Sequence, residues 1–217
     1  MPVRHAYLHG FASGPLSRKG RELARRLAGD VDLALPDLNR PSFARLTLEG
    51  ALAAVDELTG AGSGSGSGSG SASGERWRFV GSSFGGYLAA LWAERHPDRV
   101  DRLLLLCPGF DLARRWPALL GAEAMERWRR DGVFPFEDGS GRLVPVHWGF
   151  YESMLRHPPF PEVPCPTQIV HGRRDEVVPI GTSRRYAAER PHVELIEVDD
   201  DHGLTASIDQ IEKIMRK

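Results

Sequence analysis

The chain has 217 residues, 41% of them hydrophobic and 26% charged, enough for one domain with a sizeable core and little beyond it. Its 28 basic and 29 acidic side chains give a formal charge of -1, which excludes the broad basic footprint of a nucleic-acid or anionic-membrane binder. No apolar run approaches the roughly 20 residues needed to span a bilayer. Met1 leads within a few residues into the first apolar run, so no signal peptide and a cytoplasmic location are expected.

Short β-favouring runs alternate with amphipathic helical stretches. Strands are expected at residues 3–8, 31–35, 76–80, 102–107, 167–170 and 193–198. Helices are expected at 18–27, 43–58, 84–96, 182–189 and 205–216, the second capped by Ser42 and the first stopped at Gly29. The pattern predicts an α/β fold, a mostly parallel central sheet with helices on both faces. Residues 60–74 are an almost unbroken Gly/Ser alternation, expected to be a disordered loop. They enter the sheet at its amino edge, whereas open α/β sheets place their chemistry at the carboxyl edge.

The first strand ends in His9-Gly10-Phe11. The third ends in Gly81-Ser82-Ser83-Phe84-Gly85 and runs straight into a helix. A G-x-S-x-G turn between strand and helix forces its central residue into a strained conformation that exposes the hydroxyl, and the flanking glycines let the two elements approach. Ser83 is therefore the candidate nucleophile, with Ser82 the out-of-frame competitor. Two later strands end in polar loops carrying Asp175 and His202, which completes the order Ser, Asp, His. Asp199, Asp200 and Asp201 compete with Asp175 for the acid. His9 and His171, at strand ends, are expected to bond to loop backbone.

The amides of Phe84 and Phe11 are the expected oxyanion donors, with Ala12 as the fallback for Phe11. Residues 111–164 form a long insertion rich in aromatics and arginines, expected to cover the active site as a cap or lid. Trp116, Trp128, Trp148 and Tyr151 are its candidate substrate-facing residues, with packing within the insertion as the alternative. No histidine shows metal-ligand spacing with a carboxylate or cysteine, so no metal site is expected. The strand positions of Cys107 and Cys165 put them at opposite edges of the sheet, too far apart to bridge.

Tyr7-Leu8-His9-Gly10-Phe11-Ala12-Ser13-Gly14-Pro15, taken with Gly81-Ser82-Ser83-Phe84-Gly85-Gly86-Tyr87, resembles the small YqiA-like esterases of the α/β-hydrolase superfamily. The Asp175 and His202 segments match that superfamily's pattern more generally. The resemblance implies an α/β-hydrolase fold and hydrolysis of a small-molecule carboxylic ester or thioester, with no metal or organic cofactor. The insertion and the Gly/Ser tract depart from the compact form. The same residues serve acyl transfer and peptide cleavage, and a catalytically inactive binding protein that kept the fold is a further alternative.

Overall fold

A computed structural model describes residues 2–61 and 75–217. Most of the expected Gly/Ser loop, residues 62–74, lies outside the described residues. Six strands make one parallel sheet: β1 (Val3–Leu8), β2 (Leu33–Ala34), β3 (Arg76–Ser82), β4 (Val100–Leu106), β7 (Thr167–Gly172) and β8 (Val193–Val198). Their order across the sheet is β2-β1-β3-β4-β7-β8.

Alternation along each strand assigns side chains to opposite faces. Ala6, Leu8, Trp77, Phe79, Leu103, Leu105 and Ile169 enter one core. Tyr7, Val80, Leu104, Leu106 and Val170 enter the other. The larger core holds α2 (Leu48–Thr59), α3 (Phe84–Arg95) and, through Tyr186, α7 (Ile180–Ala188). The smaller core holds α1 (Arg18–Leu27) and α8 (Ile208–Met215), which pack on each other. α3 is apolar nearly all round and buried throughout its first ten residues, as a helix clasped between sheet and insertion must be.

The second helix departs from expectation. Residues 43–45 form a short 3-10 turn, Leu46 is extended, and Thr47 rather than Ser42 caps α2, its Oγ1 accepting from Gly50 N at 2.9 Å. At the other end Gly60 closes α2 at φ 72°, where a side chain would be strained. The first helix ends as expected, with Gly29 beyond it at φ 95°.

Residues 111–164 fold as α4 (Leu112–Leu120), α5 (Ala122–Asp131), an antiparallel hairpin of β5 (Val133–Glu137) and β6 (Leu143–His147), and α6 (Gly149–Leu155). Trp116, Trp128, Val146 and Phe150 carry this segment into the larger core. Cys107 and Cys165 are both buried and free. Among the described residues, no helix is long and apolar enough to cross a membrane.

Candidate active site

In-register pairing carries β1, β3, β4, β7 and β8 to a common carboxyl edge. Leu8 lies opposite Gly81, Ser82 opposite Leu106, Leu106 opposite Val170 and Gly172 opposite Val198. Ser83, Asp175, His202 and the His9-Gly10-Phe11 loop all follow these strand ends. So do the five described non-glycine residues with positive φ, namely Ala12, Ser83, Cys107, Asp111 and Leu204. Backbone strain is concentrated where the candidate chemistry lies.

Ser83 turns at φ 53° and ψ -115°, a conformation L side chains rarely adopt. The turn is pinned on both sides: Ser83 N donates to Leu106 O at 2.9 Å, and Gly109 N donates to Ser83 O at 2.8 Å. A Cβ on Gly81 would lie 2.6 Å from Gly86 Cα, and one on Gly85 would collide with the carbonyls of Leu8 and His9. The flanking glycines are therefore steric requirements of the turn. Gly10 closes over it from β1, where a Cβ would meet that of Ser83 at 3.5 Å.

His202 Nδ1 lies 2.7 Å from Asp175 Oδ2. A carboxylate only accepts, so Nδ1 carries a proton, and it is the neutral ring in this tautomer that has its lone pair on Nε2. The Asp175 side chain is fully buried. Burial alone would raise its carboxyl. Hydrogen bonds from His171, His202 and the Val178 amide outweigh that and hold it far below the usual carboxylate range. Val177 N at 2.9 Å and Val178 N at 2.8 Å both donate to Oδ1.

The three rival acids are engaged elsewhere. Asp199 pairs with Arg174 at 3.1 Å, Asp200 accepts from Ser207 N and Oγ at 2.9 Å each, and Asp201 accepts from Gly203 N at 2.8 Å.

The amide of Phe84 opens α3 and has no intrahelical acceptor. Neither it nor the Phe11 amide donates to another protein group among the described residues. The Phe11 ring faces away from the sheet edge into the insertion. It stacks on Phe150 at 5.1 Å and meets Phe136 at 5.2 Å and Trp116 at 5.5 Å. At the hairpin tip, a Cβ on Gly139 would be 3.4 Å from Ala12 O.

Ser83 and His202 line one cleft of about 950 Å³ together with Gly10, Phe11 and Ser82. Its remaining wall is formed by α1 and by the start of the segment that leads into α8, including Lys19, Leu204 and Ile208. Trp116, Trp128, Trp148 and Tyr151 are not among the lining residues. They pack on each other, with Trp128 Nε1 donating to Val146 O at 2.9 Å.

Two residues near the centre, His171 and Lys19, carry more than their sequence context suggests. His9 bonds to loop backbone, with Leu38 N donating to its Nε2 at 3.1 Å and its Nδ1 donating to Gly10 O at 2.9 Å. His171 does this too, donating from Nε2 to Val178 O at 2.8 Å, but the same Nε2–H also reaches Asp175 Oδ2 at 3.2 Å. A histidine ending a strand four residues before a loop carboxylate is the signal for this second contact.

Lys19 is the other. Its Nζ donates to Ser82 Oγ at 3.2 Å, next to Ser83, yet in an arginine-rich helix it reads as one more solvated charge. The donor atoms of Cys107, His171 and Asp175 gather within 4.8 Å of one another, but this set is a poor cation cage. His171 Nε2 holds its proton for Val178 O, and burial pushes the Cys107 thiol well above its ordinary value.

The chain is similar to several hydrolases of known name. It is 29% identical to 2-hydroxymuconate semialdehyde hydrolase of Pseudomonas sp. (strain CF600), over 48% of this chain and 47% of that protein. It is 28% identical to pimeloyl-[acyl-carrier protein] methyl ester esterase of Chromobacterium violaceum, over 54% of this chain and 59% of that protein. The chain thus spans about half the length of these relatives. Among solved structures, a putative hydrolase from Agrobacterium vitis S4 superimposes with a TM-score of 0.73 at 21% identity, covering 99% of this chain and 87% of that one. The fold is that of the α/β-hydrolases. Over residues 5–216 the sequence matches the model of the Uncharacterised protein family (UPF0227), and the chain belongs to that family.

Proposed function

We propose that the protein is a serine hydrolase of carboxylic esters or thioesters, working through Ser83, His202 and Asp175. The observation that carries this reading is the 2.7 Å bond from His202 Nδ1 to a buried, ionised Asp175, in a cleft that His202 shares with the strained Ser83. The esterase named among the relatives is consistent with it.

Ser83 is a weak nucleophile until a base takes its proton. As Oγ bonds to the substrate carbonyl carbon, its proton passes to His202 Nε2. Asp175 then faces an imidazolium, whose charge it stabilises while fixing the ring. The oxyanion of the tetrahedral intermediate is received by the amides of Phe84 and Phe11, each such donor contributing about 10²–10³ in rate. Collapse breaks the bond to the leaving oxygen or sulfur, which takes the proton from His202 and departs. Water repeats the sequence on the acyl-enzyme: it gives a proton to His202, attacks the acyl carbon, and the proton returns to Ser83 Oγ as the acid leaves.

A ladder of p-nitrophenyl esters from acetate to palmitate, assayed with wild type and Ser83→Ala, tests the reading. Hydrolysis by the wild type that vanishes in the variant is expected. Hydrolysis that survives in the variant overturns it.

A further inference from the structure

The wall that α1 gives the cleft is strongly basic. α1 contributes Arg18, Lys19, Arg21, Arg25 and Arg26 to the lining, against the one carboxylate Glu22. Glu22 is engaged by Arg25 at 2.7 Å and by Arg26 at 2.6 Å, and Arg26 also holds Asp209 and Glu212. Among the described residues Arg18, Lys19 and Arg21 have no acidic partner within ion-pair distance. Three unpaired cations therefore face the space that holds Ser83 and His202.

Lys19 is the innermost of them. Arg18 and Arg21 are exposed, whereas Lys19 is half-buried, its ammonium bonded to Ser82 Oγ. That bond uses one of three N–H donors and leaves the charge uncompensated at close range. Burial lowers its pKa, while the carboxylates of Asp175, Asp200 and Asp201 act from a distance to keep it charged. The chain has 28 lysines and arginines but only three lysines, and the other two, Lys213 and Lys217, lie at the C-terminal end. A compact ammonium fits beside Ser82 where a planar guanidinium would need more room.

An unpaired, partly desolvated cation in a cleft of this size is a costly feature unless an anion completes it. We infer that the substrate is an ester or thioester bearing a carboxylate or phosphate, and that Lys19, flanked by Arg18 and Arg21, receives that anion beside Ser83. This rests on the serine-hydrolase reading above. Ser83 would then act on a carbonyl whose position is fixed from two sides, by the oxyanion amides and by a charge-assisted bond to Lys19. The aromatic insertion has no comparable part, because its rings are spent on each other.

The test compares matched esters that differ in charge. One pair carries the charge on the leaving group: 4-acetoxybenzoate against its methyl ester. The other carries it on the acyl chain: monophenyl adipate against phenyl hexanoate. Wild type is expected to prefer the anionic member of at least one pair by roughly 10- to 100-fold in kcat/KM, chiefly through KM. The pair that shows the preference identifies the side of the scissile bond that carries the anion. Lys19→Gln should bring that ratio close to one, while Arg129→Gln, outside the cleft lining and paired with Glu126, should leave it unchanged.

If Lys19 only balances the neighbouring aspartates, Lys19→Gln will slow both members of a pair equally, and the inference fails. It fails too if wild type hydrolyses charged and neutral esters alike. Absence of hydrolysis for all four esters, with p-nitrophenyl esters also untouched, would overturn the serine-hydrolase reading itself.

Discussion

His171 and His202 meet on a single oxygen of Asp175, at 3.2 and 2.7 Å from Oδ2. With the amides of Val177 and Val178 on Oδ1, the carboxylate receives donors on both oxygens. His171 is itself held by Ser183, whose hydroxyl lies 2.8 Å from Nδ1. Because Nε2 faces two acceptors, it carries the proton, and Nδ1 accepts from the serine. A fully buried histidine thus holds the Asp175 carboxylate from behind while His202 bonds to it from in front.

His171 is on this account a positioning residue. His171→Leu removes the donor and strands Ser183 and Val178 O, so stability should fall by about 1–3 kcal/mol for each buried group left unpaired. Steady-state kinetics should show kcat about tenfold lower with KM little changed. His171→Gln, which returns an N–H near the same place, should recover most of kcat. A loss of kcat equal in the two variants would mean that His171 acts only through packing.

The ionisation of Asp175 gives stability a defined pH dependence. Its carboxyl titrates far lower in the fold than in the unfolded chain, where the value is about 3.9. The unfolded chain therefore binds the proton more readily. The stabilisation is complete above about pH 4 and is lost as pH falls from there through the lower folded value. Wild type and Asp175→Asn, compared by urea unfolding between pH 7 and pH 2.5, should differ least at the acid end. At neutral pH the same variant should lose about 10⁴ in kcat, since an amide cannot stabilise the imidazolium.

The elbow stores strain that glycine would release. Ser83→Ala and Ser83→Gly both remove the hydroxyl, and both should abolish ester hydrolysis. At φ 53° and ψ -115° the glycine variant should nevertheless be the more stable of the two, by about 1 kcal/mol in denaturant unfolding. Gly85→Ala should act in the opposite sense. Its new methyl group has only the Leu8 and His9 carbonyls to occupy, so soluble yield and unfolding midpoint should both drop sharply.

Trp128 separates packing from recognition. It is fully buried, and its indole N–H is donated to Val146 O. Trp128→Ala should cost about 3–5 kcal/mol of stability while leaving KM for short esters within a factor of two or so. A large rise in KM at unchanged stability would return the insertion's aromatics to a substrate-binding role.

The parts legible in the sequence are those that local chemistry determines. α1 has the expected bounds because its apolar spacing and the following Gly29 are local signals. The elbow is legible because its turn needs glycine on both sides, whatever surrounds it. The break before α2 is not local. Leu46 is held extended as its carbonyl accepts from His147 Nε2 at 3.0 Å, and Leu48 N donates to Ser153 Oγ at 2.9 Å. Both partners lie about a hundred positions away in the insertion, beyond the reach of helix periodicity.

The same limit applied to the site. Asp175 and His202 could be nominated from strand-end position and order, but only the fold shows that Asp175, rather than Asp199, Asp200 or Asp201, bonds to the His202 ring. Trp116, Trp128, Trp148 and Tyr151 looked available for substrate because composition records how many aromatics a segment has, not which of them bury each other. Lys19 was hidden for the converse reason, its helix being charged all along one side.

Phe11 joins two parts of the molecule that the chain keeps far apart. Its amide donates to no protein group among the described residues, while its ring is wedged among Phe43, Trp116, Phe136 and Phe150. A peptide plane moves with the side chain that roots it. Residues 111–164 therefore serve this loop as ballast, and a substitution that loosens their aromatic cluster will blur the aim of a hydrogen-bond donor that none of them touches.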